Sequence, residues 1–334
     1  MGVVGASRAA LVLTRSEVAE LLDLTECTKA VERAFRLHGE GRTAAPGVLG
    51  FAVPGGGFHI KAAALGLGRS YFAAKVNGNY SKNPGKGLPA IQGVIVLCDA
   101  EDGTPLALLD SIEITIVRTG AATAVAAGLL ARADASIATV CGCGNQGRVQ
   151  LRALASTRRL IRAFAFDAEP AEAGRFADEM TRTLGIPVEA ASDLRSALRQ
   201  SDLVVTATPS RTPFLRRGDI RPGAFLAAVG ADSPDKQELD PDLVASSKLV
   251  VDIRAQCAEI GELHHAVSKG LMRPEDAHAE LSEVVAGRRP GRESEGEIIV
   301  FDSTGTALQD VAAAALVYEK ASARGGGVRV ELGR

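Results

Sequence analysis

The 334 residues predict an α/β protein with a parallel sheet in its second half and an antiparallel, mostly β segment behind two helices in its first. Three observations carry this expectation. From Ser136 onward, short apolar strand patterns alternate with helical ones, which calls for parallel strands joined by right-handed crossovers. A glycine-rich loop, Gly142-Cys143-Gly144-Asn145-Gln146-Gly147, opens the first of those helices. Ahead of it, helix-period segments come first and turn-punctuated strand patterns follow. A chain this long also exceeds what one core usually serves, so two domains are expected.

In chain order, Ser16 is the expected cap of a short helix through Val18, Leu21 and Leu22, because a hydroxyl there accepts from unsatisfied N–H groups. A second helix, about 26–39, repeats Ala30, Val31, Ala34, Phe35 and His38 at helical spacing. Extended runs follow at 57–63, 71–76, 92–98 and 106–109, separated by signals such as Asn83-Pro84-Gly85 and Asp102-Gly103. Alanine-rich 114–131 reads as one helix linking the halves. The expected strands of the second half are 137–142, 163–167, 188–190, 203–208, 225–230, 249–253 and 298–301. Helices are expected to about 156, over 171–184 and 193–200, and finally over 307–323, with a loose tail after Gly325.

Apolar residues make up 46% and charged residues 23%, an ordinary globular balance. The net charge of −2 removes the electrostatic case for nucleic acid or an anionic membrane. Aromatics are 4% with no Trp, which leaves few stacking platforms for bases. No apolar stretch reads as reaching the roughly 20 residues that cross a bilayer. Residues 1–12, interrupted by Arg8, lack the order of a signal peptide. Five scattered cysteines, an odd number, fit reduced thiols in a cytoplasmic protein. Cys141 and Cys143 alternate with glycine in a turn, so no metal is expected there.

The glycine loop has the context that a dinucleotide site needs, and this makes the expected second domain Rossmann-type. The apolar strand Ile137-Ala138-Thr139-Val140-Cys141 runs into it, and Val149, Leu151, Leu154 and Ala155 continue it as a helix. Gly142 permits the tight turn, Gly144 the approach of a pyrophosphate, and Gly147 close helix–strand packing; the helix N-terminus, with Asn145 and Gln146, favours phosphate. Asp167 ends the next strand, 20 positions after Gly147. A carboxylate there accepts from ribose hydroxyls and repels a 2′-phosphate, favouring NAD, while Arg148 keeps NADP open.

Other polar residues sit where neither core nor surface needs them. Lys75 lies in the apolar run Tyr71–Val76 ahead of Asn77, Arg118 among Ile114, Val117, Ala121 and Ala122, and Lys61 within Phe58-His59-Ile60-Lys61-Ala62-Ala63. A cation so placed needs a partner, which is either a substrate carboxylate or a structural Asp or Glu. Asp232 follows the strand ending at Gly230, on the sheet edge where open α/β folds bind ligands; it is an acid/base candidate or a turn cap. The hydroxyls of Ser303 and Thr304, ahead of Gly305, either meet a nicotinamide or cap the last helix. Thr208 and Ser210, at the end of strand 203–208, and Asp232, counted here as well as among the acid/base candidates, complete the candidate cofactor contacts.

Together these residues resemble the ornithine cyclodeaminase/mu-crystallin family. The resemblance covers Arg42 to Tyr318 and rests on Lys75-Val76-Asn77, Gly87-Leu88-Pro89 with Gln92-Gly93, and Arg118-Thr119-Gly120-Ala121-Ala122-Thr123-Ala124. It rests also on the glycine loop, on Gly230-Ala231-Asp232 with Pro234, Lys236 and Glu238-Leu239, and on Asp302-Ser303-Thr304-Gly305 with Leu308-Gln309-Asp310. It implies a homodimer and an α+β substrate-binding and dimerisation domain, residues 1–120 with 307–334, beside a Rossmann domain over 121–306. It also implies that Arg42, Lys75 and Arg118 bind a substrate carboxylate and that Asp232 is the acid/base group, with Lys75 at the reacting centre.

One departure matters. Ornithine enzymes of the family hold the distal amino group with an acid upstream of the strand lysine, where this chain has His59 and Lys61. A basic pocket suits a neutral side chain or a second carboxylate. The expected activity is therefore NAD(P)H-dependent reduction of a small α-imino acid (a ketimine) to an L-amino acid, or the reverse dehydrogenation. The alternatives are ornithine cyclodeaminase, making L-proline and ammonia, and a non-catalytic NAD(P)H-binding, crystallin-like protein. An intact Lys75 and Asp232 speak against the last.

Overall fold

The structure, a computed structural model, describes residues 9–332. Two compact units divide the chain: residues up to Arg118 with those from Thr306, and Thr119–Gly305. The first unit opens with β1 (Ala9–Leu13), α1 (Arg15–Leu21) and α2 (Leu24–Gly39), then β2 (Gly47–Val53), β3 (Gly56–Gly66), β4 (Ser70–Asn79), β5 (Ile91–Asp99) and β6 (Pro105–Asp110). Thr14, not Ser16, caps α1. The reason is the capping box: the Thr14 N–H donates to Glu17 at 2.8 Å and the Thr14 hydroxyl serves the Glu17 N–H, whereas Ser16 has Ala19 three residues on. Asp23 accepts from the N–H groups of Thr25 and Glu26 and starts α2 two residues earlier than periodicity alone indicates.

α3 (Ser111–Leu130) follows and runs across the boundary between the units. It corrects the reading that no segment is long and apolar enough to cross a membrane, because by length and composition its 20 residues are. Yet 61% of its most apolar window is buried inside the fold, as in the core helix of a globular protein.

The second unit is an eight-stranded sheet built from β7 (Ile137–Cys141), α4 (Asn145–Thr157), β8 (Arg162–Phe166), α5 (Pro170–Leu184), β9 (Val188–Ala190), α6 (Leu194–Gln200), β10 (Leu203–Thr206) and β11 (Phe225–Ala228). It continues with α7 (Pro241–Ala245), β12 (Lys248–Val251), α8 (Arg254–Ile260), α9 (Glu262–Ser268), β13 (Ala279–Glu280), α10 (Leu281–Val285) and β14 (Ile299–Asp302). All neighbours are parallel, in the order β13-β12-β14-β11-β10-β7-β8-β9. This is the expected Rossmann-type sheet. The chain moves outward from β7 through β8 to β9, then crosses to β10 on the other side, so β7 marks the switch point where such sheets bind ligands. The carboxyl ends of β14, β11, β10 and β7 therefore share one edge. The helices between 241 and 285 were not foreseen; none exceeds seven residues, too short to display a period.

The chain re-enters the first unit as α11 (Ala307–Arg324), capped by Thr306, whose hydroxyl accepts from the Leu308 N–H. The tail expected to be loose instead forms β15 (Val328–Glu331), antiparallel to β1. Val328-Arg329-Val330-Glu331 alternates with period two, and the outer edge of β1 offers the backbone groups it needs. The resulting sheet has the order β15-β1-β6-β5-β4-β3-β2, antiparallel except for β1–β6.

Strand parity then sorts its two faces. Lys61 lies opposite Lys75, Ala63 opposite Ala73, Leu65 opposite Tyr71, and His59 opposite Asn77. This face packs on α11, which also packs on α2. The other face presents Phe58, Phe72, Val94, Val96 and Leu108, all exposed.

Candidate active site

At the carboxyl end of β7 the backbone dictates two of the three loop glycines. Gly142 has φ 97°, and a Cβ there would lie 2.6 Å from the Ala207 carbonyl oxygen; a Cβ on Gly147 would run into the Gly142 carbonyl. Gly144, which precedes α4, has open space where its Cβ would be. The first N–H groups of α4, at Asn145, Gln146 and Gly147, have no intrahelical acceptor and sit at the positive end of the helix dipole. A cavity of about 460 Å³ adjoins, lined by Gly142, Phe166, Asp167, Ala168, Thr208, Pro209, Ser210 and Phe214. Tight turn, open approach, dipole and cavity together fit a dinucleotide pyrophosphate.

Asp167 is half-buried and fixed. One oxygen accepts from the Cys143 N–H at 2.8 Å, the other from the Glu169 N–H at 3.1 Å. Arg148 is engaged elsewhere: Nε bonds Glu179 at 2.8 Å, Nη1 bonds the Cys143 carbonyl at 2.6 Å, and the guanidinium lies over the Phe176 ring.

Asp232, four residues past the end of β11, is 42% exposed and meets Lys236 Nζ at 2.6 Å. Ser303 and Thr304 do not cap α11, since Thr306 does. Their hydroxyls and the Gly305 N–H converge on Asp252, at 3.4, 3.0 and 2.6 Å. Sequence reasoning assigned no role to Glu238, a fully buried acid between the ends of β10 and β11.

In the first unit, Lys75 Nζ lies 2.9 Å and Arg118 Nε 3.1 Å from the same oxygen, Oδ1 of Asp310 on α11. Arg118 Nη1 also donates to Gln309 Oε1 at 2.7 Å. All three charged side chains are buried, as is Lys61 opposite Lys75. The structural-acid alternative thus holds for Lys75 and Arg118, but a single carboxylate serves both. Burial pulls the Lys75 ammonium down to about 7, with Asp310 opposing and Arg118 and Lys61 reinforcing. Burial also resists ionisation of Asp310, yet Lys75 and Arg118 outweigh it and hold that carboxyl below its usual range. Asp310 Oδ2 and Gln309 Nε2 are buried without a hydrogen-bond partner.

Arg42 is not buried with this group; its side chain is 66% exposed, 3.3 Å from Glu40. His59 is half-buried, and Asn77 opposite it accepts from Ser111 Oγ at 2.6 Å. Asp310 had a signal that went unused: an acid in the first turn of an alanine-rich, largely buried helix.

Comparison with known proteins finds a matching family and similar solved structures. The profile of the ornithine cyclodeaminase/mu-crystallin family matches residues 8–325. An archaeal alanine dehydrogenase dimer with bound NAD is similar at TM-score 0.93 and 38% identity, covering 97% of this chain and 100% of that one. Thermococcus litoralis Delta(1)-pyrroline-2-carboxylate reductase, in complex with NADH and L-proline, gives 0.89 at 36% identity over 96% and 100%. The iminosuccinate reductase of Paracoccus denitrificans, in complex with NAD+, gives 0.89 at 31% identity over 97% and 100%. The chain belongs to the ornithine cyclodeaminase/mu-crystallin family.

Proposed function

We propose that the protein is an NAD(H)-dependent oxidoreductase that reduces small α-imino acids to L-amino acids, or runs the reverse dehydrogenation. The observation that carries this reading is the sharing of Asp310 by Lys75 and Arg118. Two buried cations on one carboxylate leave positive charge in surplus, and an α-carboxylate is the anion that answers it. Asp310 and Gln309 hold the two cations in place, so orientation is prepared before substrate arrives. Arg42 joins the clamp on leaving Glu40, and Lys61 with His59 sets the preference for a neutral or acidic side chain.

In the second unit, the loop Gly142–Gly147 and the start of α4 take the pyrophosphate, Thr208 and Ser210 line the cofactor cavity, and Asp167 takes the ribose hydroxyls. A fixed carboxylate there repels a 2′-phosphate, which favours NAD over NADP. The dinucleotide supplies the hydride when bound. Asp232 gives the nitrogen its proton in reduction, or takes one from water in oxidation. Ser303, Thr304 and Gly305 act from the neighbouring strand end, held by Asp252.

A pH dependence follows. With no substrate bound, Lys75 is charged below about 7 and neutral above it. An anionic substrate binds the charged form, so kcat/KM, which reports the free enzyme, falls as pH rises through about 7. Lys75→Arg, which stays charged, abolishes that limb of the profile. A wild-type profile flat from about pH 6 to 9 contradicts the clamp.

The exposed apolar face carrying Phe58, Phe72, Val94, Val96 and Leu108 is larger than single scattered residues need, and a second copy of this chain covers it. Sedimentation then reports twice the 34.6 kDa chain mass; a monomer would remove this assignment. Five free thiols, four of them buried, suit a reducing, cytoplasmic setting.

A further inference from the structure

We propose that Glu238 is a positioning residue whose one carboxylate holds the cofactor cavity wall and the Asp232 loop in register. The inference rests on the cofactor and Asp232 roles assigned above. The β10–β11 ladder closes with the Val229 N–H on the Thr206 carbonyl, and past it the chain leaves both strands for loops. There Glu238 Oε1 accepts from the Thr208 N–H at 2.6 Å and the Thr208 hydroxyl at 2.7 Å. Oε2 accepts from the Thr206 hydroxyl at 2.7 Å and the Gly230 N–H at 2.9 Å. Four donors from two strand ends thus meet one fully buried carboxylate.

The backbone of the same segment completes the wall. The Glu238 carbonyl accepts from the Phe214 and Leu215 N–H groups, and the Gln237 N–H donates to the Ser210 carbonyl. Thr208, Ser210 and Phe214 all line the cavity, so three wall residues hang on positions 237 and 238. On the other arm, Gly230 leads directly to Ala231 and Asp232. A Cβ on Gly230 would run into the Thr208 carbonyl and come within 2.5 Å of the Glu238 carboxyl carbon, so the two loops are packed to contact at this point. Glu238 is itself pinned from behind: its N–H and that of Leu239 donate to Glu262 at 2.8 and 3.1 Å.

The chemistry demands a carboxylate. Two ionised oxygens offer about four acceptor sites and no donor, matching the four donors present. An amide of the same shape turns one edge into a donor facing donors, which loses bonds on one strand and opens the register between the loops.

The test is Glu238→Gln in the full chain, with NADH binding followed by fluorescence titration alongside kinetics and a melting curve. The expected result is an NADH Kd raised about tenfold or more and a kcat lowered about tenfold or more. KM for the imino acid stays within about twofold, because the carboxylate clamp does not involve Glu238. Thr206→Val removes one donor without touching the cavity lining, and is expected to shift Kd and kcat in the same directions by about threefold. A folded Glu238→Gln with wild-type Kd and kcat overturns the proposal. Should Glu238→Gln fail to fold, Thr206→Val decides, and wild-type values there overturn it. Wild-type protein that binds no NADH would overturn the cofactor reading itself, and this inference with it.

Discussion

Asp310→Asn is expected to destabilise the protein by about 3–5 kcal/mol, the usual cost of leaving buried charge without its partner. Asn keeps the shape and one acceptor oxygen, so the loss isolates the charge. Lys75 and Arg118 both rest on Oδ1 of Asp310, whose side chain is 2% exposed, and Lys61 adds a third cation to the same face. The pH dependence has a definite sign. Because the native Lys75 value lies below the ordinary lysine value, the unfolded chain binds more protons above about 7, and stability rises with pH there. Removing Asp310 takes away the charge that most raises Lys75, so the variant gains more stability than wild type between about pH 6 and 9. Asp310 itself, held low, contributes its stabilisation above the unfolded carboxyl value and loses it as pH falls through the lowered native one. Chemical denaturation at both pH values measures this. A variant within about 1 kcal/mol of wild type at neutral pH would mean the cations are compensated elsewhere.

Asp232→Asn is expected to lose about 10²–10⁴ of kcat, the usual contribution of a positioned acid or base. NADH binding should survive, because Asp232 stands outside the cavity lining of the glycine loop. Stability should also survive: the pair with Lys236 is part-exposed, at 42% for the Asp232 side chain, and such pairs contribute about 1 kcal/mol at most. The combination separates chemistry from folding and from cofactor binding. A kcat near wild type would remove Asp232 from the reaction.

How far the sequence was legible depended on distance along the chain. The glycine loop is a contiguous strand, turn and helix, so composition alone located it, and the parallel strands followed from local alternation. Lys61 and Lys75 were legible as buried cations because each interrupts an apolar run. Their environment was not. Asp310 lies 235 positions from Lys75, and no local pattern records that α11 packs on the face that bears the lysine. Glu238 stayed unassigned for the same reason, since its donors come from two strand ends brought together only by the sheet. The cap of α1 is legible in Thr14-x-x-Glu17, where the hydroxyl and the acid serve each other's N–H groups; Ser16 offers a hydroxyl with no such partner three residues on. β15 escaped because four residues make a strand only when a neighbouring edge is offered to them.

The most direct test of the account is the rate of NADH oxidation with small α-keto acids plus ammonia and with cyclic imino acids, set beside NADPH and beside ammonia release from L-ornithine with NAD. Asp167 predicts that NADH outperforms NADPH. Lys61, buried opposite Lys75 and proposed above to set the side-chain preference, predicts discrimination of about a hundredfold or more against L-ornithine. The account predicts imino acid reduction with NADH as the fastest reaction of the set. Conversion of L-ornithine to proline faster than reduction of any imino acid would contradict it.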